Sequence, residues 1–344
     1  MPHLLLRSAF AATILAAMAF AAQAELRRLD PVRILQLGNE QFKPAVVTGV
    51  ALAPGGARLA AVGDDHLLRI WNHHDGRVLY RQGGHTDWVR AVAFSPDGKI
   101  LATAGNDRLV QLRDSTTGDV VRNLPEHAQA ITDLTFSPDG KQVAAVGFEQ
   151  GMKIYDVQSG AVDRELDCPC VDMRAVAYSP DGKTLASAGR NGKIRVWNAA
   201  TGEVLHNLTG HRRRIRAIAF APDSSKLASA GEDRQILLWD VPSGEQTMKL
   251  RCTTAKIFSL AFTSDRQLAS GGSDNVVQLW DLDLQQVTHR LEGHTGSVAT
   301  IAYDAQLGLL VSGSFDTTVR LWDLSRLGEP ETAARPAPNG RYQE

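Results

Sequence analysis

The side chains able to do chemistry fall into three groupings. His73-His74-Asp75 sets two imidazoles beside a carboxylate, and Cys168-Pro169-Cys170 sets two thiols one residue apart. The third is a scatter of arginines and aromatics in polar stretches, among them Trp88 between Asp87 and Arg90, and the run Arg212-Arg213-Arg214. An adjacent histidine pair in an expected exposed hairpin, without further ligands, is a weak metal site. A Cys-x-Cys bridge is strained, and two thiolates are half of a closed four-ligand zinc site. Cys168, Cys170 and Cys252 therefore read as loop cysteines, with a redox or metal clip at Cys168 and Cys170 as the alternative. There is no G-x-S-x-G elbow, H-E-x-x-H helix, phosphate-binding glycine loop or C-x-x-C-H haem site. The sequence thus assigns no catalytic, cofactor or metal residue.

The chain that positions these groups has 344 residues, 43% of them hydrophobic and 22% charged, enough to bury a sizeable core. A net charge of -1 gives no bulk attraction to nucleic acid or to a membrane surface. At the start, Arg7 precedes an apolar run at 9–20, and Ala22-Gln23-Ala24 is a small-residue cleavage pattern. This predicts a signal peptide at 1–24 that is cut after Ala24 and, lacking a twin arginine, threads the chain unfolded. The run is too short to span a bilayer, and no later one approaches the roughly 18 to 20 apolar residues required. The expectation is a soluble bacterial export, in the periplasm or secreted, without membrane insertion. Glu25 after the cut gives no lipoprotein anchor.

A single period organises the rest. An aromatic position followed by Asp or Asn falls at Trp71, Tyr155, Trp197, Trp239, Trp280 and Trp322, with Arg113 holding the same register, at spacings of 42, 42, 42, 42, 41 and 42 residues. The short step matches a one-residue deletion in the turn Thr263-Ser264-Asp265-Arg266. Within a unit the runs are short, apolar and rich in β-branched residues, which is a strand pattern. In the second, strands are expected at 89–94, 100–104, 109–113 and 120–124, separated by Ser95-Pro96-Asp97-Gly98, Asn106-Asp107 and Thr117-Gly118.

A four-stranded unit of this size cannot cover its own apolar faces, so it stacks, and closing the stack into a ring removes exposed ends. The expected fold is all-β: a seven-bladed β-propeller of four-stranded antiparallel blades spanning 25–325, with 326–344 as a flexible tail. Residues 31–38 resemble the fourth strand at 203–210, which predicts that 31–37 supply the outer strand of the blade ending at Trp322 and clasp the ring shut.

These residues carry a family resemblance. Gly-His pairs at Gly84-His85, Gly210-His211 and Gly293-His294, and Trp-Asp pairs at Trp239-Asp240, Trp280-Asp281 and Trp322-Asp323, make the chain similar to the WD40-repeat propellers over about 31–324. The resemblance implies a buried hydrogen-bond network in each complete blade: His211, Ser229, Asp233 and Trp239 in one, His294, Ser312, Asp316 and Trp322 in another, at identical spacings. The residue types suit a relay from a donor-only indole through hydroxyl and imidazole to a carboxylate, so these His and Asp residues read as structural. Arg113 interrupts the set His85, Thr103, Asp107; His127 faces Ala145, Glu149 and Tyr155; Pro169 and Thr253 replace histidines; and the first unit has Lys43 and Ala61. Those blades are expected to rely on packing and to be softer.

The resemblance also implies a partner-binding rim, formed three and five residues after the histidine and just before the hairpin Asp. Carried over by position, it comprises Trp88, Arg90, Phe148, Arg174, Arg190, Arg214, Arg216, Lys256, Phe258 and Phe315, with Asn106, Asp172 and Glu232 beside them. Tryptophan and arginine commonly dominate binding energy. The expected function is an exported binding module or scaffold, a monomer by itself, that holds an acidic or extended segment of another protein and no nucleic acid. The alternatives are a hydrolase or lactonase with a site at the channel mouth, and, for the run 212–214 by itself, a solvated surface.

Overall fold

The computed structural model describes residues 27–38, 44–252 and 255–327; the expected signal peptide, most of the expected tail, Lys43 and Thr253 lie outside them. The described residues form seven sheets, each built on four antiparallel strands. The innermost strands, in blade order, are Val47–Leu52, Val89–Phe94, Ile131–Phe136, Met173–Tyr178, Ile215–Phe220, Ile257–Ser264 and Val298–Asp304. Successive inner strands touch, and the seventh touches the first, so the ring is closed.

What holds the ring is visible in the core. The buried apolar residues gather into seven clusters, each bridging one blade and the next. Trp197, for example, is buried against Met152 and Ile154 of blade 3, and Trp322 against Val277 and Leu279 of blade 6. A single blade would leave these surfaces wet, at about 25 cal/mol for each Å² of apolar area. Polar staples join the inner strands as well. Ser259 Oγ accepts from Ile301 N at 2.9 Å, Asp133 Oδ2 from Val176 N at 2.9 Å, and Thr300 Oγ1 from Val50 N at 3.3 Å.

The outer strand of blade 7 is Arg33–Gln36, paired antiparallel with Thr318–Asp323. Flanking bonds from Val32 N to Leu321 O (2.8 Å) and from Leu37 N to Thr317 O (3.0 Å) extend the pairing across 32–37. Leu35 and Leu37 are buried between blades 7 and 1. Arg33 also grips blade 1, donating to the main-chain oxygens of His74 (2.5 Å) and Asp75 (2.6 Å). The segment His73-His74-Asp75 is therefore part of the clasp: the His73 ring is buried, with Nε2 3.2 Å from Gly56 O. The N-terminal segment makes one further contact that its sequence did not suggest. Arg27–Arg28 pairs parallel with His289 and Arg290 and adds a fifth strand to the outer edge of blade 6.

Blade 6 also shows how the short repeat is accommodated: its first hairpin turns on Asp265 and Arg266 alone. No helix among the described residues is long and apolar enough to cross a membrane.

Candidate partner-binding face

In blades 5 and 7 the network residues meet as a chain. Trp239 Nε1 donates to Ser229 Oγ (2.8 Å), which lies 2.8 Å from His211 Nε2, and His211 Nδ1 lies 2.9 Å from Asp233 Oδ2. In blade 7, Trp322 Nε1 reaches Ser312 Oγ at 2.9 Å; His294 stands 2.8 Å from Ser312 and 2.9 Å from Asp316. Burial would raise these carboxyls, but the histidine hydrogen bonds, with main-chain N–H groups of Arg212 and Thr295, hold both below the ordinary carboxylate range. With both imidazole nitrogens engaged in the blade interior, these residues fix the loops above them.

The incomplete blades differ from one another. Blade 2 keeps a network: His85 joins Asp107 (2.7 Å) and Thr103 (2.8 Å), and Arg113 replaces the indole donor with Nε 3.4 Å from Thr103 Oγ1. The rest of this buried guanidinium donates to Gly118 O, Gly83 O and Gln111 Oε1 at 2.9, 2.7 and 2.5 Å. Blade 2 therefore does not rest on packing alone, because a long cationic side chain reaches carbonyls an indole could not. In blade 3, His127 pairs with Glu149 through Nδ1, but Ala145 offers no hydroxyl and His127 Nε2 is buried without a partner. In blade 4, Ser187 meets the thiol of Cys168 at 3.6 Å, and in blade 6 Trp280 Nε1 donates to Ser270 Oγ at 2.8 Å. All three cysteines are free thiols, so Cys168 and Cys170 form no bridge. Burial pushes the Cys168 thiol up to about 11.

One backbone bond, repeated in every blade, builds the face. The residue opening each middle hairpin donates its N–H to the carbonyl just before the inner strand: Asn106 to Trp88, Phe148 to Ala130, Arg190 to Asp172, Glu232 to Arg214, Ser273 to Lys256, Phe315 to Ser297 and Asp64 to Val46, at 2.9 to 3.3 Å. These bonds place the rim positions side by side at one end of the ring. The approach demands glycine at Gly105 and Gly231, where a Cβ would come within 2.1 Å of the Trp88 and Arg214 oxygens.

On that end Trp88 is 43% and Phe315 48% exposed, Arg190 and Lys256 are exposed, and Arg90, Phe148, Arg174, Arg214, Arg216 and Phe258 are half-buried. Three arginines lie over three aromatics: Arg90 on Trp88 at 5.7 Å, Arg174 on Phe148 at 4.5 Å and Arg216 on Phe258 at 5.3 Å. The last two pairs cross between blades. Carboxylates tie the arginines of blades 4 and 5 together, Asp172 taking Arg174 (2.5 Å) and Arg214 (2.8 Å), and Glu232 taking Arg214 at 3.2 Å. Arg214 is thus a strut between loops. Arg212 and Arg213 are exposed.

Below the face, Ala51, Ala93, Thr135, Ala177, Ala219, Ala261 and Ala302 share one half-exposed register of the inner strands and line the bore. Ala51, Ala93 and Ala302 also line an open hollow of about 430 Å³ near the opposite end, with Pro54, Asp304 and Gln306.

The family model described as WD domain, G-beta repeat matches seven stretches, residues 34–72, 76–114, 118–156, 164–198, 202–240, 244–281 and 285–323. A protein described as probable serine/threonine-protein kinase PkwA, from Thermomonospora curvata, is 38% identical over 68 residues, which is 20% of this chain and 8% of that protein. The chain therefore spans less than a tenth of that relative, over fewer than two repeats.

Proposed function

The chain belongs to the WD40 family, whose propellers commonly serve as protein-interaction modules, and on that premise we propose that it is an exported scaffold gripping an acidic or extended segment of another envelope or secreted protein. What carries the reading is the face of three arginine–aromatic stacks beside the exposed Trp88 and Phe315. Large side chains with their own polar partners are presented there at little further ordering cost, which is how binding hot spots are built. The protein is a monomer by itself and takes no nucleic acid, in keeping with a net charge of -1. Export rests on the 1–24 segment; N-terminal sequencing of the protein recovered from the envelope gives Glu25 first, and a cytoplasmic chain beginning at Met1 rejects it.

The face is tested by placing a photo-crosslinking amino acid at Phe315 in living cells and identifying what it captures. Trp88→Ala combined with Lys256→Glu lowers that capture at least tenfold without moving the melting temperature. Lys256 is chosen over Arg214 because the Arg214 guanidinium is held by Asp172 and Glu232. Undiminished capture by the double variant rejects the face.

A further inference from the structure

The geometry points to a seat for one carboxylate, from an Asp or Glu of the bound segment, between Arg90 and Arg174 at the mouth of the bore above Thr132. This rests on the docking-face reading and makes it specific. Arg90, Thr132 and Arg174 hold the same register in the inner strands of blades 2, 3 and 4, so two long cations flank one short hydroxyl. Thr132 Oγ1 is turned into the ring wall, bonded to Met173 O at 2.7 Å and Val146 O at 3.2 Å, and it does not fill the gap. Arg174 reaches from blade 4 over Phe148 of blade 3, the blade that separates it from Arg90. Elsewhere in this register Thr48 and Ala299 precede Arg90, and Phe258 follows Arg216.

Both guanidiniums are fixed on two sides. Arg90 has its face on Trp88 and its Nε donating to Asn106 Oδ1 at 2.5 Å; Arg174 has its face on Phe148 and its Nε 2.5 Å from Asp172 Oδ1. The Nη1 and Nη2 groups of each make no hydrogen bond among the described residues and are not sealed off, so they are free to meet a ligand. Burial, and then the charge of Arg174, make the Arg90 proton easier to lose, so the two cations feel each other. An anion between them relieves that repulsion. A carboxylate suits two donor forks on opposite sides because it has two oxygens in one plane. The protein uses the same bridge next door, where the two oxygens of Asp172 take Arg174 and Arg214.

The test titrates the full-length protein with fluorescein-labelled tetraglutamate, with tetraglutamine as control, by anisotropy. Tetraglutamate binds saturably and tetraglutamine does not; Arg90→Gln and Arg174→Gln each weaken binding at least tenfold, and Lys99→Gln, exposed at the opposite end of the ring, changes it less than twofold. Arg90→Gln breaks no carboxylate pair, so it decides the matter should Arg174→Gln melt early. An unchanged Arg90→Gln, an equal loss from Lys99→Gln, or no saturable binding overturns the seat. So does inorganic phosphate that displaces the probe at lower concentration than unlabelled tetraglutamate. If Arg90→Gln captures the crosslinked partner undiminished while Trp88→Ala with Lys256→Glu does not, the seat falls and the face stands. Tetraglutamate binding that needs Arg90, with capture indifferent to Trp88 and Lys256, does the reverse.

Discussion

Ser229→Ala is the sharpest perturbation of the blade interior. Ser229 is fully buried, and its hydroxyl serves His211 Nε2 and Trp239 Nε1 at 2.8 Å each. Alanine removes one oxygen and leaves two buried groups unsatisfied, at about 1 to 3 kcal/mol apiece, and the space vacated is too small for a water to replace it. The expected destabilisation is therefore about 2 to 6 kcal/mol. Blade 3 supplies the converse, since Ala145 already stands at the equivalent position and His127 Nε2 has no partner. Ala145→Ser should stabilise by about 1 kcal/mol, the net worth of one hydrogen bond. Urea unfolding followed by tryptophan fluorescence reads both, as shifts in midpoint at unchanged slope. A Ser229→Ala cost below about 0.5 kcal/mol, or an Ala145→Ser variant less stable than the parent, would show that these relays do not hold the blades.

Leu37→Ala empties a fully buried position between blades 7 and 1 and should cost about 2 to 4 kcal/mol, with earlier proteolysis at the N-terminal segment; resistance equal to the parent's refutes the clasp. Asp133 is walled in between blades 3 and 4, and burial, partly offset by hydrogen bonds from Val176 N and Leu134 N, raises its pKa to about 7. A carboxyl raised above its unfolded value near 4 contributes stability that is full below about pH 4 and lost as pH climbs through about 7. Asp133→Ser keeps an inter-blade acceptor, as Ser259 does for Ile301, and should flatten the fall in urea midpoint between pH 5 and pH 8. Parallel pH profiles for the two proteins reject that assignment.

Much of this molecule is legible in its linear pattern. Blade number follows from the 42-residue spacing because each blade is one supersecondary unit with turns at fixed offsets. The position of the closing strand followed from the likeness of 31–38 to 203–210, since a fourth strand carries the same alternation wherever it sits in the chain. The rim residues came from the family resemblance and not from the pattern itself; the structure adds that their shared register in the inner strands and middle hairpins puts them at one end of the ring.

What tertiary structure decided is where long or locally featureless groups go. Arg27–Arg28 has no strand pattern of its own; it pairs with blade 6 because its tether to Arg33 brings it past an open edge. Arg113 looked like a missing donor, yet it completes the blade 2 relay, because carbonyls of the loops at Gly83 and Gly118 lie within its reach. The lean of Arg174 onto Phe148 is set by a neighbouring blade, at a distance in space that the spacing along the chain does not encode. Repetition is local and is written in the sequence; the direction of a flexible side chain depends on partners that only ring closure brings near.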